Sequence, residues 1–129
     1  MGDRSGVSAQ ARALVGVPFR LHGRDPATGL DCVGLVACAL GNPVVPSGYR
    51  MRQGSADAIV AGLDAIGLVR ADLPCAGDVL LFEAGAAQFH LGVMSGRGFV
   101  HACALLRRVV ETPGMPAWPL IGAWRKQGK

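Results

Sequence analysis

Apolar residues recur at helical spacing over Val7-Ser8-Ala9-Gln10-Ala11-Arg12-Ala13-Leu14-Val15, and Gly16 followed by Pro18 closes the pattern. A first helix is predicted there. The stretch from Phe19 to Leu30 contains His22-Gly23-Arg24-Asp25-Pro26-Ala27-Thr28-Gly29 and is dense in turn formers, so it reads as a loop delivering the chain to Asp31-Cys32. From Cys32 to Leu40 the chain is apolar without interruption, and Gly41-Asn42-Pro43 ends the run. Periodicity alone does not separate a buried strand from a buried helix in such a run. Asp31 as an N-cap and Gly41 as a C-terminal stop decide for helix. A second loop, Asn42 to Gly54 with Pro43 and Pro46, leads to Ser55 as a cap and to an amphipathic helix over Ala56 to Leu68. After the turn cluster Ala71 to Asp78 the period changes to two, predicting short strands at Val79–Phe82, Phe89–Met94, Phe99–Cys103, Arg107–Glu111 and Leu120–Trp124. Helices first and strands afterwards argue for an α+β domain whose N-terminal helices pack on an antiparallel sheet of about five strands.

Composition narrows the class. At 129 residues the chain is expected to form one domain, 1–129, and with half its residues apolar and 17% charged it can bury a core. The 19 glycines and 8 prolines suit a small mixed fold with tight turns. The net charge of +4 comes largely from eleven arginines scattered singly, apart from the pair Arg107-Arg108. That is too diffuse for a nucleic-acid stripe. The longest apolar run, Val33 to Leu40, is far short of the roughly 20 residues that span a bilayer, and no signal-peptide pattern follows Met1. Synthesis in the cytoplasm, with neither a membrane nor a nucleic-acid partner, is the expectation. Cys32, Cys38, Cys75 and Cys103 are expected as free thiols, and the absence of C-x-x-C and H-x-x-H spacings argues against a metal site or other cofactor.

Cys32 is the first candidate for chemistry. In the first turn of a helix capped by Asp31, its sulfur meets unpaired N–H groups and the positive end of the macrodipole, which favour a thiolate. The alternative is a small buried hydrophobe. Gly34 and Ala37 would let a partner element approach the same helix closely. A nucleophilic thiol needs a base, and His22, His90 and His101 are the three histidines. Ser95-Gly96-Arg97-Gly98 reads as a hairpin turn. With a two- or four-residue loop Met94 pairs with Phe99, Gly92 lies opposite His101, and His90 and His101 become diagonal neighbours on one face. A three-residue loop would put them on opposite faces. A lone histidine is more often a core or surface residue, but two on one face opposite a cysteine at a helix start have Cys–His–polar logic, in which the third group orients the base. Cys38, about 240° around the helix from Cys32, reads as core. Cys103, which the same pairing places opposite His90, is an alternative thiol. Asp78 reads as closing a turn, and Arg107, Arg108, Arg125 and Lys126 as a solvated face.

Five blocks together resemble the NlpC/P60 cysteine peptidase family: Gly16-Val17-Pro18-Phe19-Arg20, Gly29-Leu30-Asp31-Cys32-Val33-Gly34-Leu35-Val36, Ala76-Gly77-Asp78-Val79-Leu80-Leu81-Phe82, His90-Leu91-Gly92-Val93 and Val100-His101-Ala102. They occur in the family's order and cover most of the chain. Gly23-Arg24-Asp25-Pro26 and the ending Trp118 to Arg125 further resemble the phage-type branch, whose members are encoded with tail genes of phages and gene transfer agents.

The resemblance implies a papain-like core that hydrolyses peptidoglycan stem peptides, typically at the D-γ-glutamyl to diamino-acid bond, with Cys32 as nucleophile, His90 as base and His101 as the third polar residue. It implies tail hub or baseplate proteins as partners and a site of action at the cell wall, reached in a tail particle. Two positions depart from the family: Phe19 stands where Tyr is usual, and Val33 where Ser follows the nucleophile. Both would lie at the substrate-binding cleft, with Asp31 at its edge and His22 as a replacement donor. Two other functions remain open on these residues. One is a structural tail or hub component with weak or no hydrolysis, and the other is acyl transfer by the same Cys–His site on a lipid or small amide.

Overall fold

The computed structural model describes residues 6–41 and 55–127. Helix α1 (Val7–Ala13) buries Val7 and Ala11, one turn apart, and gives way at Gly16, whose φ of +98° suits glycine. The chain then runs beside the last-but-one strand, with Gly16 N–H donating to Val109 O at 2.9 Å and Phe19 N–H to Arg107 O at 2.9 Å. The stretch expected as a plain loop holds a small antiparallel hairpin, β1 (Arg24–Asp25) and β2 (Gly29–Leu30). Strands of two residues are too short to show any alternation, so the turn formers around them dominate the sequence pattern.

Helix α2 (Cys32–Ala39) is the central helix. All eight residues are buried, which is why its sequence has no polar face. Asp31 caps it as expected, its Oδ1 accepting from Gly34 N–H at 2.8 Å. At the other end Gly41 has φ +90°, and Lys126 Nζ donates to the free Leu40 carbonyl at 3.2 Å. Gly34 is small for a reason: a Cβ there would strike the Gly23 carbonyl of the loop leading into the hairpin. The predicted loop 42–54 lies outside the described residues. Helix α3 (Ala56–Ala65) starts on Ser55, whose Oγ accepts from Asp57 N–H at 3.1 Å. It ends earlier than its apolar spacing predicts, because Gly67 takes φ +90° and turns Leu68 into a strand.

That strand, β3 (Leu68–Ala71), joins β4 (Val79–Gly85), β5 (Gln88–Met94), β6 (Gly98–Cys103), β7 (Arg108–Pro113) and β8 (Leu120–Lys126) in one sheet of order β3-β8-β4-β5-β6-β7. Every pairing in it is antiparallel. The sheet has six strands, one more than expected, and the addition is β3. Val79, Leu81, Leu91, Val93, Val100, Ala102, Val109 and Trp124 join the helices in the main core. Leu80, Phe82, Phe99 and Ala123 form a second cluster with Met94 and Trp118. Strand β4 is thus apolar on both faces, and burial of each large side chain contributes about 1.5–3 kcal/mol. Asp78, expected to close a turn, does so by accepting from Cys75 N–H at 2.8 Å. It also receives both Nε and Nη2 of Arg125 at 2.8 Å, so Arg125 is pinned to the sheet rather than part of a free basic face. No described helix is long and apolar enough to cross a membrane.

Candidate active site

The turn between β5 and β6 has the even length on which the two histidines depend. Met94 pairs with Phe99 and Val93 with Val100 around the four residues Ser95–Gly98, where Ser95 Oγ accepts from Gly98 N–H at 2.9 Å. His90 pairs with Phe82 across β4, and His101 with Val110 across β7. Their rings meet at 3.0 Å, His90 Nε2 to His101 Nδ1, with planes 80° apart. Phe99 stacks on His101 at 4.9 Å, and the edge of Trp118 lies 5.2 Å from His90, centroid to centroid. Gly92 has no side chain because a Cβ there would run into the Phe99 ring and the Val100 carbonyl. The glycine therefore admits the aromatic ring that packs the imidazoles.

Cys32 lies in the main core cluster with Leu91, Val93 and Val100. Ser95 N–H donates to Gly98 O at 2.8 Å, so along this antiparallel ladder residues 93 and 100, and then 91 and 102, would be the mutually bonded pairs. Pairing between β5 and β6 stops after Val93 and Val100. The backbone N–H groups of Leu91 and Val33 favour the charged form of the Cys32 thiol, though burial outweighs them.

Electrostatics in the free protein run opposite to the simple expectation for a helix N-terminus. Burial, reinforced by the Asp31 charge, pushes the Cys32 thiol up to about 11 in spite of the two N–H donors. Burial, followed by repulsion from His101, lowers His90 to about 4, and burial lowers His101 as well. The resting site holds a neutral thiol and neutral imidazoles. Desolvation outweighs the helix-end field because Cys32 is only 8% exposed, and burial disfavours the charged thiolate.

The remaining residues fall around this centre unequally. Asp31 Oδ1, which caps α2, also accepts from Arg24 Nη1 at 2.7 Å, so its charge is already paired. Val33 is buried in the main core, and Phe19 is half-buried against it. His22 is exposed at φ +60° on the turn before β1, and its ring makes no hydrogen bond to any described residue. Cys103 is half-buried and accepts from Leu106 N–H at 3.4 Å, beyond the point where β5 and β6 part. Cys38 reaches toward the Arg24 carbonyl, away from the histidines. Thr112, which the strand predicted over Arg107–Glu111 stops short of, places Oγ1 3.0 Å from His101 Nε2. Continuing the β6–β7 register two residues past Val110 would have found it. Among the described residues, no three His, Cys, Asp or Glu side chains come together to hold a metal ion.

No protein-family profile and no curated protein matches the chain. Solved structures do. The NlpC/p60 domain of the peptidoglycan hydrolase SagA superposes with a TM-score of 0.57 at 21% identity, over 87% of this chain and 90% of that one. The P60 domain of an antigen from M. avium subspecies paratuberculosis gives 0.57 at 21% identity, over 93% of this chain and 90% of that one. The peptidoglycan hydrolase RipB from Mycobacterium tuberculosis gives 0.51 at 23%, over 97% and 72%. The three helices and the antiparallel sheet thus form the α+β, papain-like fold of NlpC/P60 domains.

Proposed function

We propose that residues 1–129 form a cysteine peptidase that hydrolyses amide bonds of peptidoglycan stem peptides, at the D-γ-glutamyl to diamino-acid bond. The observation that carries this is the His90 ring tied to His101, with the Cys32 thiol at the start of α2 feeling the backbone N–H of Leu91, the residue after His90. Three of the solved structures with this fold are NlpC/P60 or peptidoglycan hydrolase domains by name, which supports the substrate class. In the reaction Cys32 Sγ attacks the amide carbon as its proton passes to His90. The imidazolium then protonates the leaving amine, and a thioester remains on Cys32. Water, deprotonated by the same imidazole, attacks the thioester and releases the carboxylate. The backbone N–H of Cys32, at the start of α2, is the donor offered to the oxyanion. Because the resting thiol and imidazole are both neutral, proton transfer accompanies attack rather than preceding it. Purified chain should cleave muropeptides, and Cys32→Ala should lower the rate by about a thousandfold or more. Cleavage by the Cys32→Ala variant at the wild-type rate would refute the assignment.

We further place this activity in a phage-like tail, with hub or baseplate proteins as neighbours and the chain made in the cytoplasm before it meets the wall. The support is the resemblance of Gly23-Arg24-Asp25-Pro26 and of Trp118 to Arg125 to the tail-encoded branch. Mass spectrometry of purified particles should find the chain at fixed stoichiometry, and its absence would remove the tail role. A second reading, a tail component without hydrolysis, is favoured by one observation: Asp31, which the resemblance puts at the edge of the substrate cleft, is paired with Arg24. Particles that carry Cys32→Ala and keep full infectivity would support it.

A further inference from the structure

The hydrogen bond between the two imidazoles has a direction, because one ring must donate and the other accept. Both rings are held firmly enough for that direction to persist. His101 is 8% exposed, stacked on Phe99, and has its second nitrogen 3.0 Å from Thr112 Oγ1. Thr112 lies opposite Phe99 on β7, two residues beyond Val110, the partner of His101. Cross-strand register therefore puts its hydroxyl on the face that carries the histidines.

We propose that Thr112 is a positioning residue that sets the direction of proton transfer: its hydroxyl accepts from His101 Nε2–H and so fixes the tautomers of both histidines. With its proton on Nε2, His101 presents a bare Nδ1 to His90 and accepts from His90 Nε2–H. His90 is then left with a bare Nδ1, the nitrogen that takes the Cys32 proton. The reverse chain, in which His101 Nδ1–H donates to His90 Nε2, puts the His90 proton on Nδ1 and leaves a ring that cannot act as a base. Hydrogen-bond accounting at the sulfur favours the first direction. A neutral thiol that is to attack needs an acceptor for its own proton. Only the first direction supplies one. This inference rests on the reading of His90 as the base for Cys32.

The test uses the full chain with Thr112→Val, which keeps the β-branched shape and removes the hydroxyl, and Thr112→Ser, which restores it. Nitrogen NMR of the imidazoles near neutral pH should show both wild-type rings protonated at Nε2. In Thr112→Val the His101 proton should move toward Nδ1, and kcat on muropeptides should fall about tenfold with KM nearly unchanged, since orientation of a general base is part of its contribution to the rate. Thr112→Ser should recover both. Wild-type tautomers in Thr112→Val would overturn the inference, as would a kcat loss that Thr112→Ser fails to repair. The tautomer measurement needs no substrate. If the tautomers shift as expected while Cys32→Ala still hydrolyses muropeptides, the peptidase assignment fails, and with it the part of Thr112 in proton transfer, while its hold on the two tautomers stands.

Discussion

Gly92 is the position where a single methyl group should disturb the most. Its missing Cβ leaves room for the Phe99 ring, which in turn stacks on His101. Gly92→Ala should cost about 1–3 kcal/mol, as overpacking a filled site does. It should also lower activity beyond that stability loss, which thermal unfolding measured alongside muropeptide turnover would show. Reaction pH is set at this scale too. Cys32 can lose its proton to His90 only while His90 is neutral, and burial holds that imidazole near 4. The acid limb of kcat/KM should therefore fall near pH 4, well below the 6.5 of an ordinary histidine. A limb at 6.5 in a pH profile would contradict a base lowered by burial at this site. The pairing of His90 with His101 was legible in the sequence, because turn parity decides which strand residues share a face. The neutral state of Cys32 was not, since desolvation depends on which elements close over the thiol.

Helix α2 shows what an element's ends can reveal. Asp31 and Gly41 bracket an apolar run that has no period of its own, and they alone identified it as a helix with Cys32 in its first turn. The two jobs of Asp31 can be separated. Asp31→Asn keeps an acceptor for Gly34 N–H and loses only a half-exposed ion pair with Arg24, so it should cost under about 1 kcal/mol. Asp31→Ala loses the cap as well and should cost about 1–2 kcal/mol, measured by denaturant unfolding. Equal losses in the two variants would mean that the ion pair, not the cap, holds the helix start. What was hidden at this scale was hidden by length. The β1–β2 hairpin is shorter than one alternation, and β3 lies directly behind a helix whose apolar spacing runs on through Ile66 and Leu68. The parting of β5 and β6 after Val93 leaves no mark in the sequence, because Leu91 and Ala102 look like ordinary strand residues.

At the scale of the whole molecule, the buried site makes stability depend on pH from both sides. His90 and His101 are both lowered, so the unfolded chain binds protons first as pH falls below about 6.5. Stability is complete above that value and is lost toward pH 4, by on the order of 3 kcal/mol for His90 alone. Cys32 is raised, so above pH 9 the unfolded chain releases a proton that the native chain keeps until about 11, and stability falls again. A Tm profile should have its plateau between these windows. His90→Gln should flatten the acid side, and an unchanged acid slope in that variant would remove His90 as its source. The α+β arrangement of helices before strands was readable from the change of period at Asp78. Where β5 and β6 part belongs to the assembled fold. The most direct measurement is mass spectrometry of muropeptides incubated with purified wild-type and Cys32→Ala chains. Wild-type chain should release fragments cut between D-glutamate and the diamino acid, and the variant should leave the substrate intact. Equal cleavage by both would contradict Cys32 as the nucleophile.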